Sequence, residues 1–165
     1  MKGIILMKIK FKKLGMRNIK TAIAVVISIL ISRGLRMEYP IYAAIASIIS
    51  MQSSIESSFK AGRNRMLGTI VGAFVGYLCA LISPGDPLLI GIGIVCVIYF
   101  CNLFNWKESS SIAGVVFCVI VLNLKGNSPI IYSINRIVDT FIGIIVAITV
   151  NYFVIPPKEK EKIKD

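Results

Sequence analysis

The chain has 165 residues, 56% of them hydrophobic, with 19 Lys and Arg against 8 Asp and Glu and no histidine. Soluble domains are typically about 45–50% apolar, and a mean hydropathy of +0.79 argues against a soluble all-helical protein because few charged faces remain for water. The spacing of the four cysteines matches no zinc pattern, so we expect no metal site and no cofactor.

Six apolar stretches, each bounded by charges, Gly or Pro, follow one another along the chain. They are long enough to cross a hydrocarbon core about 30 Å thick. We predict transmembrane helices at about 19–35, 39–55, 66–83, 87–104, 109–125 and 136–155. The expected fold is all-α, a polytopic membrane protein. Its predicted parts are a basic amphipathic cytoplasmic N-terminus (1–18), a six-helix transmembrane domain (19–156) and a charged cytoplasmic tail (157–165).

The basic residues are distributed unevenly between the two predicted sides. With the N-terminus inside, all of them except Arg33, Arg36, Lys125 and Arg136 fall on the cytoplasmic side. The positive-inside rule therefore predicts a multi-pass protein of the cell membrane with both termini in the cytoplasm. A DNA-binding arm is the rival interpretation of residues 1–20. The apolar residues interleaved there favour a segment lying on an anionic lipid leaflet, so no nucleic-acid partner is expected.

One segment occurs twice, about 71 residues apart. Residues 65–80 read R-M-L-G-T-I-V-G-A-F-V-G-Y-L-C-A, and residues 136–151 read R-I-V-D-T-F-I-G-I-I-V-A-I-T-V-N. In this alignment the matched pairs are Arg65 with Arg136, Thr69 with Thr140, Gly72 with Gly143, and Gly76 with Ala147. Each half holds three spans, which is an odd number, so the halves would lie in opposite orientations. The sequence thus predicts a 3+3 inverted repeat, as in many transporters.

Small residues mark the faces on which these helices are expected to pack. Such stripes let helix backbones approach closely inside a membrane. The predicted packing residues are Gly68, Thr69, Gly72 and Gly76 on the third span and Thr140, Gly143 and Ala147 on the sixth. Because six short helices make a small bundle, we also expect a homo-oligomer, with a dimer favoured.

Spans two and five are short and polar, and they correspond under the same repeat offset. Short or interrupted spans in matching positions of two halves indicate a transport site. Charged residues within or beside spans usually face protein or a water-filled path. Together these features give the candidate path residues Arg65, Arg136, Asp139, Glu38, Arg36, Gln52, Glu56, Asn123, Asn135 and Asn151.

The two matched arginines, Arg65 and Arg136, are the predicted binding groups for an organic anion. Arg65 is expected at the cytoplasmic mouth of the path and Arg136 at the outer mouth, where each could hold a carboxylate bidentately. The alternative is that they are interfacial anchors. Asp139 follows Arg136 by three residues on the same helix face, so we expect the two to neutralise each other. Asp139 is also the one plausible protonatable coupling group.

Several motifs carry a family resemblance. They are G-M-R-N-I-K-T-A-I-A at 15–24, E-Y-P at 38–40, F-K-A-G-R-N-R-M-L-G-T-I-V-G at 59–72, W-K-E at 106–108, N-R-I-V-D-T-F-I-G at 135–143 and N-Y-F-V-I-P at 151–156. Together they resemble the aromatic acid exporter family of the fusaric acid resistance-like superfamily, which includes plant malate channels. The resemblance implies a six-helix membrane domain, oligomeric assembly and export of organic acids. Many relatives carry a cytoplasmic helical domain after the last span, and we expect this sequence to represent the membrane domain only.

The expected function is therefore export of small organic anions, with aromatic carboxylates as one substrate class. A passive organic-anion channel and a non-transporting membrane subunit that packs with a partner remain as alternatives. An enzyme is disfavoured because intramembrane catalysis needs a nucleophile–base pair or metal ligands. The chain has no histidine, and its acidic residues do not pair within one span.

Overall fold

The computed structural model describes residues 15–122 and 128–154. In these residues the chain forms α1 (Met16–Gly34), α2 (Ile41–Ser50), α3 (Ile55–Ile82), α4 (Pro87–Leu103), α5 (Ser110–Leu122) and α6 (Pro129–Phe153), with a 3-10 turn (Lys107–Ser109) before α5. The described residues contain no strand, so the predicted all-α class is confirmed for them. Each predicted span overlaps mainly one of these helices. The predicted tail at 157–165 and most of the predicted N-terminal segment lie outside the described residues.

Helices α3 and α6 are longer than the sequence prediction, which began them at 66 and 136. The Ser54 side chain accepts a hydrogen bond from the backbone N–H of Ser57 at 3.1 Å, which caps α3 at its start, and Pro129 occupies the first turn of α6. Charged side chains end an apolar stretch without ending a helix, which explains the difference. Of the described helices, α3 and α6 are long and apolar enough to cross a membrane, and α2 and α4 are apolar but shorter.

Helices α3 and α6 cross near their midpoints and run in opposite directions. The hydroxyl oxygens of Thr69 and Thr140 lie 3.5 Å apart, close to the centres of helices of 28 and 25 residues. Towards the start of α3, a β-carbon on Gly62 would lie 2.7 Å from the side chain of Ile144, which follows Thr140 on α6. The order of these two contacts is reversed between the helices, so the pair is antiparallel.

The other helices pack on either side of this crossing. Helix α6 lies against α1 and α2, and α3 lies against α4 and α5. Gly72 faces the backbone carbonyl of Ala113 on α5, and Gly143 faces the backbone carbonyl of Ala43 on α2, each too closely to admit a β-carbon. The helix backbones are therefore in direct contact at both places. Buried small residues on the two long helices are Gly68, Thr69, Gly72, Gly76, Thr140, Gly143 and Ala147.

The interior contains charged and polar side chains, and the outer surface exposes many large apolar ones. On the α3–α4–α5 side the core is apolar and includes Val97, Cys101 and Phe117. The α1–α2–α6 side instead buries charged and polar side chains, namely Lys20, Arg136, Asp139 and Asn151. Large apolar side chains are exposed around the outside, including Leu30, Phe74, Leu88, Phe141 and Phe153. Buried charge with an apolar surface reverses the pattern of soluble proteins and suits a lipid environment.

Helices α1 and α4 end in the same kind of turn. Arg36 follows α1 with φ 55° and Asn105 follows α4 with φ 59°. The next backbone N–H donates to the carbonyl oxygen of the residue five positions earlier, at 2.9 Å after α1 and 2.7 Å after α4. This is the Schellman motif, in which a left-handed residue closes the helix. Glycine usually occupies that position, so Arg36 holds a strained backbone conformation.

Candidate functional site

Arg136 lies in the first third of α6, inside the bundle, with 4% of its surface exposed. Its guanidinium carbon sits 2.9 Å from the ring centroid of Tyr42 on α2, a cation–π contact. Its Nε and one terminal nitrogen are buried without a hydrogen-bond partner. A guanidinium presents five donors in a fixed fork, so this one retains the capacity to bind an anion.

Tyr42, which lies against Arg136, packs with Tyr39 and Tyr132 in a group that we call the tyrosine cluster. The hydroxyl oxygens of Tyr42 and Tyr132 lie 3.1 Å apart. The Tyr39 ring meets the Tyr132 ring edge-on at 5.6 Å between centroids and lies 5.9 Å from Tyr42. Glu38, a predicted path residue, hydrogen-bonds with Tyr39 through its side chain. The four-residue spacing between Tyr132 and Arg136 could have indicated one member of the cluster from sequence, because it equals about one helical turn.

Asp139 is also buried, with 1% of its surface exposed. Its Oδ1 accepts a long hydrogen bond of 3.4 Å from the Ser32 hydroxyl on α1, and its Oδ2 has no partner. Asp139 and Arg136, both of which are described residues, form no direct ion pair in this arrangement. Although the two side chains share a helix face, the guanidinium turns towards Tyr42 and the carboxyl group turns towards Ser32.

Arg65 occupies on α3 the position that Arg136 occupies on α6. It is 5% exposed, and its Nε has no partner. The Thr69 hydroxyl donates to the Arg65 carbonyl oxygen at 2.9 Å, and the Thr140 hydroxyl donates to the Arg136 carbonyl oxygen at 2.9 Å. Each arginine thus lies about 6 Å along its helix from the crossing. They were expected at the two mouths, but both lie inside the bundle because their helices begin well before them.

A second polar cluster ties the start of α1 and the end of α6 to the α2–α3 loop. Lys20 Nζ donates to the side-chain Oδ1 of Asn151 at 3.1 Å and to its backbone oxygen at 3.2 Å. The Asn151 amide donates to Ser58 Oγ at 2.8 Å and to the backbone oxygens of Gln52 and Ser54, each at 3.2 Å. Asn151 and Gln52 were predicted path residues. Lys20 was counted among the basic residues of the cytoplasmic side.

Of the remaining predicted path residues, two are exposed near helix ends. Glu56 is exposed in the first turn of α3, and Arg36 is exposed after α1. Asn135 is half-buried on α6. Asn123 lies outside the described residues. The fold thus brings part of the predicted set together and leaves Glu56 and Arg36 exposed near helix ends.

An open cavity of about 430 Å³ lies between the first half of α3 and the 3-10 turn. Its lining includes Lys60, Arg63, Lys107 and Glu108 beside Trp106. Lys60 Nζ donates to Glu108 Oε1 at 3.1 Å, and this hydrogen bond holds the pKa of Glu108 below its usual value. Because basic side chains outnumber the acid, the cavity favours the approach of an anion.

The described residues combine six helices, an apolar outer surface and buried charge, which are typical of a helical membrane protein. The chain belongs to the aromatic acid exporter family: the family profile described as "Aromatic acid exporter family member 1" matches residues 12–154. This membership supports a membrane location and an export role.

Relatives match nearly the whole of this chain. UPF0421 protein YgaE of Bacillus subtilis (strain 168) is 29% identical over 151 residues, which cover 92% of this chain and 42% of that protein. UPF0421 protein SH1063 of Staphylococcus haemolyticus (strain JCSC1435) is 27% identical over 156 residues, which cover 93% of this chain and 46% of that protein. The chain therefore spans less than half the length of these relatives. No solved structure matches it.

Proposed function

We propose that this chain forms the membrane domain of an exporter of small organic anions, with Arg136 and Arg65 as the groups that bind the carboxylate. Family membership supports the export role. The observation that carries the proposal is the buried Arg136 guanidinium, which has donors free of protein partners. A charge at such depth in a membrane protein usually marks an ion or substrate path. The proposal assigns no catalytic residue.

The surroundings of Arg136 suit an aromatic carboxylate. The planar guanidinium can donate two parallel hydrogen bonds to a carboxylate, which fixes the orientation of the anion. The tyrosine cluster supplies flat apolar faces beside the same cation, and aromatic rings prefer edge-to-face or offset contact with one another. Charge therefore selects an acid at this site, and the rings favour an aromatic one.

We also propose that the six helices are six spans, arranged as two inverted triplets, with both termini cytoplasmic. The packing pattern supports this arrangement. Helix α6 meets α2 through Gly143, and α3 meets α5 through Gly72. The turns after α1 and α4 match in backbone conformation. A homodimer remains our proposal for the assembly, and its basis is the small size of the bundle and its broad apolar surface.

Counterflow in proteoliposomes tests the function. Vesicles preloaded with benzoate should accumulate labelled benzoate, which distinguishes a carrier from a passive channel and from a subunit that moves nothing. Arg136→Gln should reduce this flux roughly ten- to a hundredfold, because a lost charge-assisted hydrogen bond costs about 1.5–3 kcal/mol. Arg136→Lys should restore it only in part, because lysine lacks the planar fork.

Arg33→Gln is the matched control, since Arg33 is exposed at the end of α1. It removes the same charge without touching the buried cluster, so its flux should equal that of the original chain. Equal flux from Arg136→Gln at matched protein level would refute the role given to Arg136.

A further inference from the structure

Asp139 is the one acidic side chain in the described parts of α1, α2, α5 and α6. It lies one residue before Thr140, at the centre of the bundle where α3 and α6 cross. Its carboxyl group is enclosed, with a single hydrogen bond of 3.4 Å on one oxygen and none on the other. A carboxyl group can gain or lose a proton, and the proposed anion site at Arg136 gives Asp139 no role.

The charged and titratable side chains around Asp139 are mostly basic. On the elements packed against it, α1 carries Arg17, Lys20 and Arg33, α2 carries Tyr42, α3 carries Glu56, Lys60, Arg63, Arg65, Tyr77 and Cys79, and α6 itself carries Tyr132, Arg136 and Tyr152. Lys20 is held by Asn151, three turns further along α6, and Arg33 is exposed. The described part of α5 carries no Asp, Glu, Lys or Arg. Arg136, one turn away on the same helix, is therefore the natural electrostatic partner of Asp139.

Asp139 and Arg136 are linked by the free-energy cost of burying a charge without a partner. An ionised carboxylate enclosed with one weak hydrogen bond is costly unless a cation neutralises it. Burial of the Arg136 guanidinium with two nitrogens lacking a hydrogen-bond partner is costly as well. The i, i+3 spacing lets the two side chains meet after a change of rotamer, yet here they face different partners. This separated arrangement is the one that a neutral, protonated Asp139 allows.

We propose that Asp139 is a proton-binding site coupled to anion binding at Arg136, so that each bound anion is accompanied by one proton. This inference rests on the proposed function. Without an anion, ionised Asp139 neutralises Arg136. When a carboxylate anion binds the Arg136 guanidinium, it replaces Asp139 as the partner of that cation. Asp139 then accepts a proton from the aqueous solution and turns to Ser32. The site therefore has the same net charge in both states.

The coupling has a direct consequence for transport. One anion and one proton occupy the site together, so the transported unit is the neutral acid. No oxidant or further reactant is needed, because the Asp139 carboxylate gains the proton and releases it when the anion leaves. Transport by this route should not respond to membrane voltage, whereas a bare anion would gain or lose about 2.3 kcal/mol per 100 mV.

Isothermal titration of the purified protein with benzoate tests this inference. The titration is run at one pH in two buffers of different ionisation enthalpy, and the difference between the apparent enthalpies gives the number of protons taken up. The original chain should take up protons with each benzoate, approaching about one where Asp139 starts fully ionised. Asp139→Asn should bind benzoate with no proton uptake. Asp86→Asn, at the exposed cap of α4, should behave like the original chain.

The outcomes distinguish failure of the proton coupling from failure of the anion site. Benzoate binding without proton uptake by the original chain overturns the coupling and leaves the proposed function standing. Equal proton uptake by Asp139→Asn likewise overturns it, because another group would then be the acceptor. Failure of the folded original chain to bind benzoate overturns the proposed anion site, and the coupling falls with it.

Discussion

The hydroxyl groups of Thr69 and Thr140 lie 3.5 Å apart, where α3 crosses α6. These two residues are also partners in the 71-residue repeat of the sequence. Each hydroxyl donates to the carbonyl oxygen of the arginine one turn earlier. When a residue contacts its own repeat partner, the two halves face each other there, and this supports the proposed inverted arrangement.

Cysteines at these two positions should cross-link within one chain. In a chain whose native cysteines are replaced by alanine, mild oxidation of Thr69→Cys/Thr140→Cys should join α3 to α6. After cleavage at a protease site inserted at Gly85, the two fragments should stay together until a reductant is added. Leu88→Cys/Thr140→Cys should not cross-link, because Leu88 is exposed at the start of α4. Fragments that separate without reductant would contradict the crossing.

Gly72 and Gly143 should tolerate no side chain. A β-carbon at either position would collide with a backbone carbonyl, of Ala113 or Ala43 respectively, and overpacking typically costs about 1–3 kcal/mol. Gly72→Ala and Gly143→Ala should lower thermal stability in detergent, and Gly72→Leu should abolish folding. Gly91→Ala on α4 is the control, since a β-carbon there meets nothing within 4 Å. A stable Gly72→Leu protein would rule out the close α3–α5 contact.

Replacement of Arg36 by glycine should stabilise the protein. Arg36 holds a left-handed backbone conformation with φ 55°, which glycine adopts freely. We expect a net gain of about 1 kcal/mol, or a rise of about 2–4 °C in Tm. Asn105→Gly should give a smaller gain, because asparagine already tolerates this conformation. Arg36→Ala is the control, since it removes the charge and keeps the strain, and a similar rise there would show that charge is responsible.

The contact between Lys20 and Asn151 should behave as a coupled pair. Asn151→Leu removes the side-chain oxygen and leaves the Lys20 ammonium with the backbone oxygen alone. Loss of a hydrogen bond to a charged group typically costs about 1.5–3 kcal/mol. Lys20→Met/Asn151→Leu removes that charge as well, so it should unfold at a higher denaturant concentration than Asn151→Leu alone. A double-mutant cycle with Lys20→Met measures the coupling. Simple addition of the two single effects would exclude it.

Local sequence patterns predicted the close helix contacts. The spacing of Gly68, Gly72 and Gly76 indicated a packing face, and that face is buried against α5 within the chain. The repeat matched Thr69 to Thr140, and these residues touch. Such patterns succeed because a helix face is fixed by a spacing of three or four residues, whatever its partner.

The depth of charged residues could not be predicted in the same way. The hydropathy pattern placed Arg65 and Arg136 at helix ends, because the predicted boundaries of the third and sixth spans lie at charged residues. The burial of Lys20 was missed for the same reason, although Lys20 continues the four-residue stripe of Ala24, Ser28 and Ser32. A lysine in register with buried small residues indicates burial with a partner, here Asn151.

Contacts between residues far apart in the chain could not be predicted from a single sequence. The ring of Tyr42 lies over Arg136 although the two residues are far apart in the chain and do not match in the repeat. Their contact depends on how α2 meets α6, which is set by the backbone approach of Gly143 to Ala43. Only the assembled bundle brings this cation and this ring together.

The contact between Ala43 and Gly143 has a consequence for biosynthesis. The two residues are separated by one hundred positions, which a ribosome covers in roughly 5–20 s at about 5–20 residues per second. During that interval α1 and α2 both lack their contacts with α6. The first half of the chain therefore completes its packing only when the last helix emerges, so that truncation within α6 would leave the earliest helices without their partner.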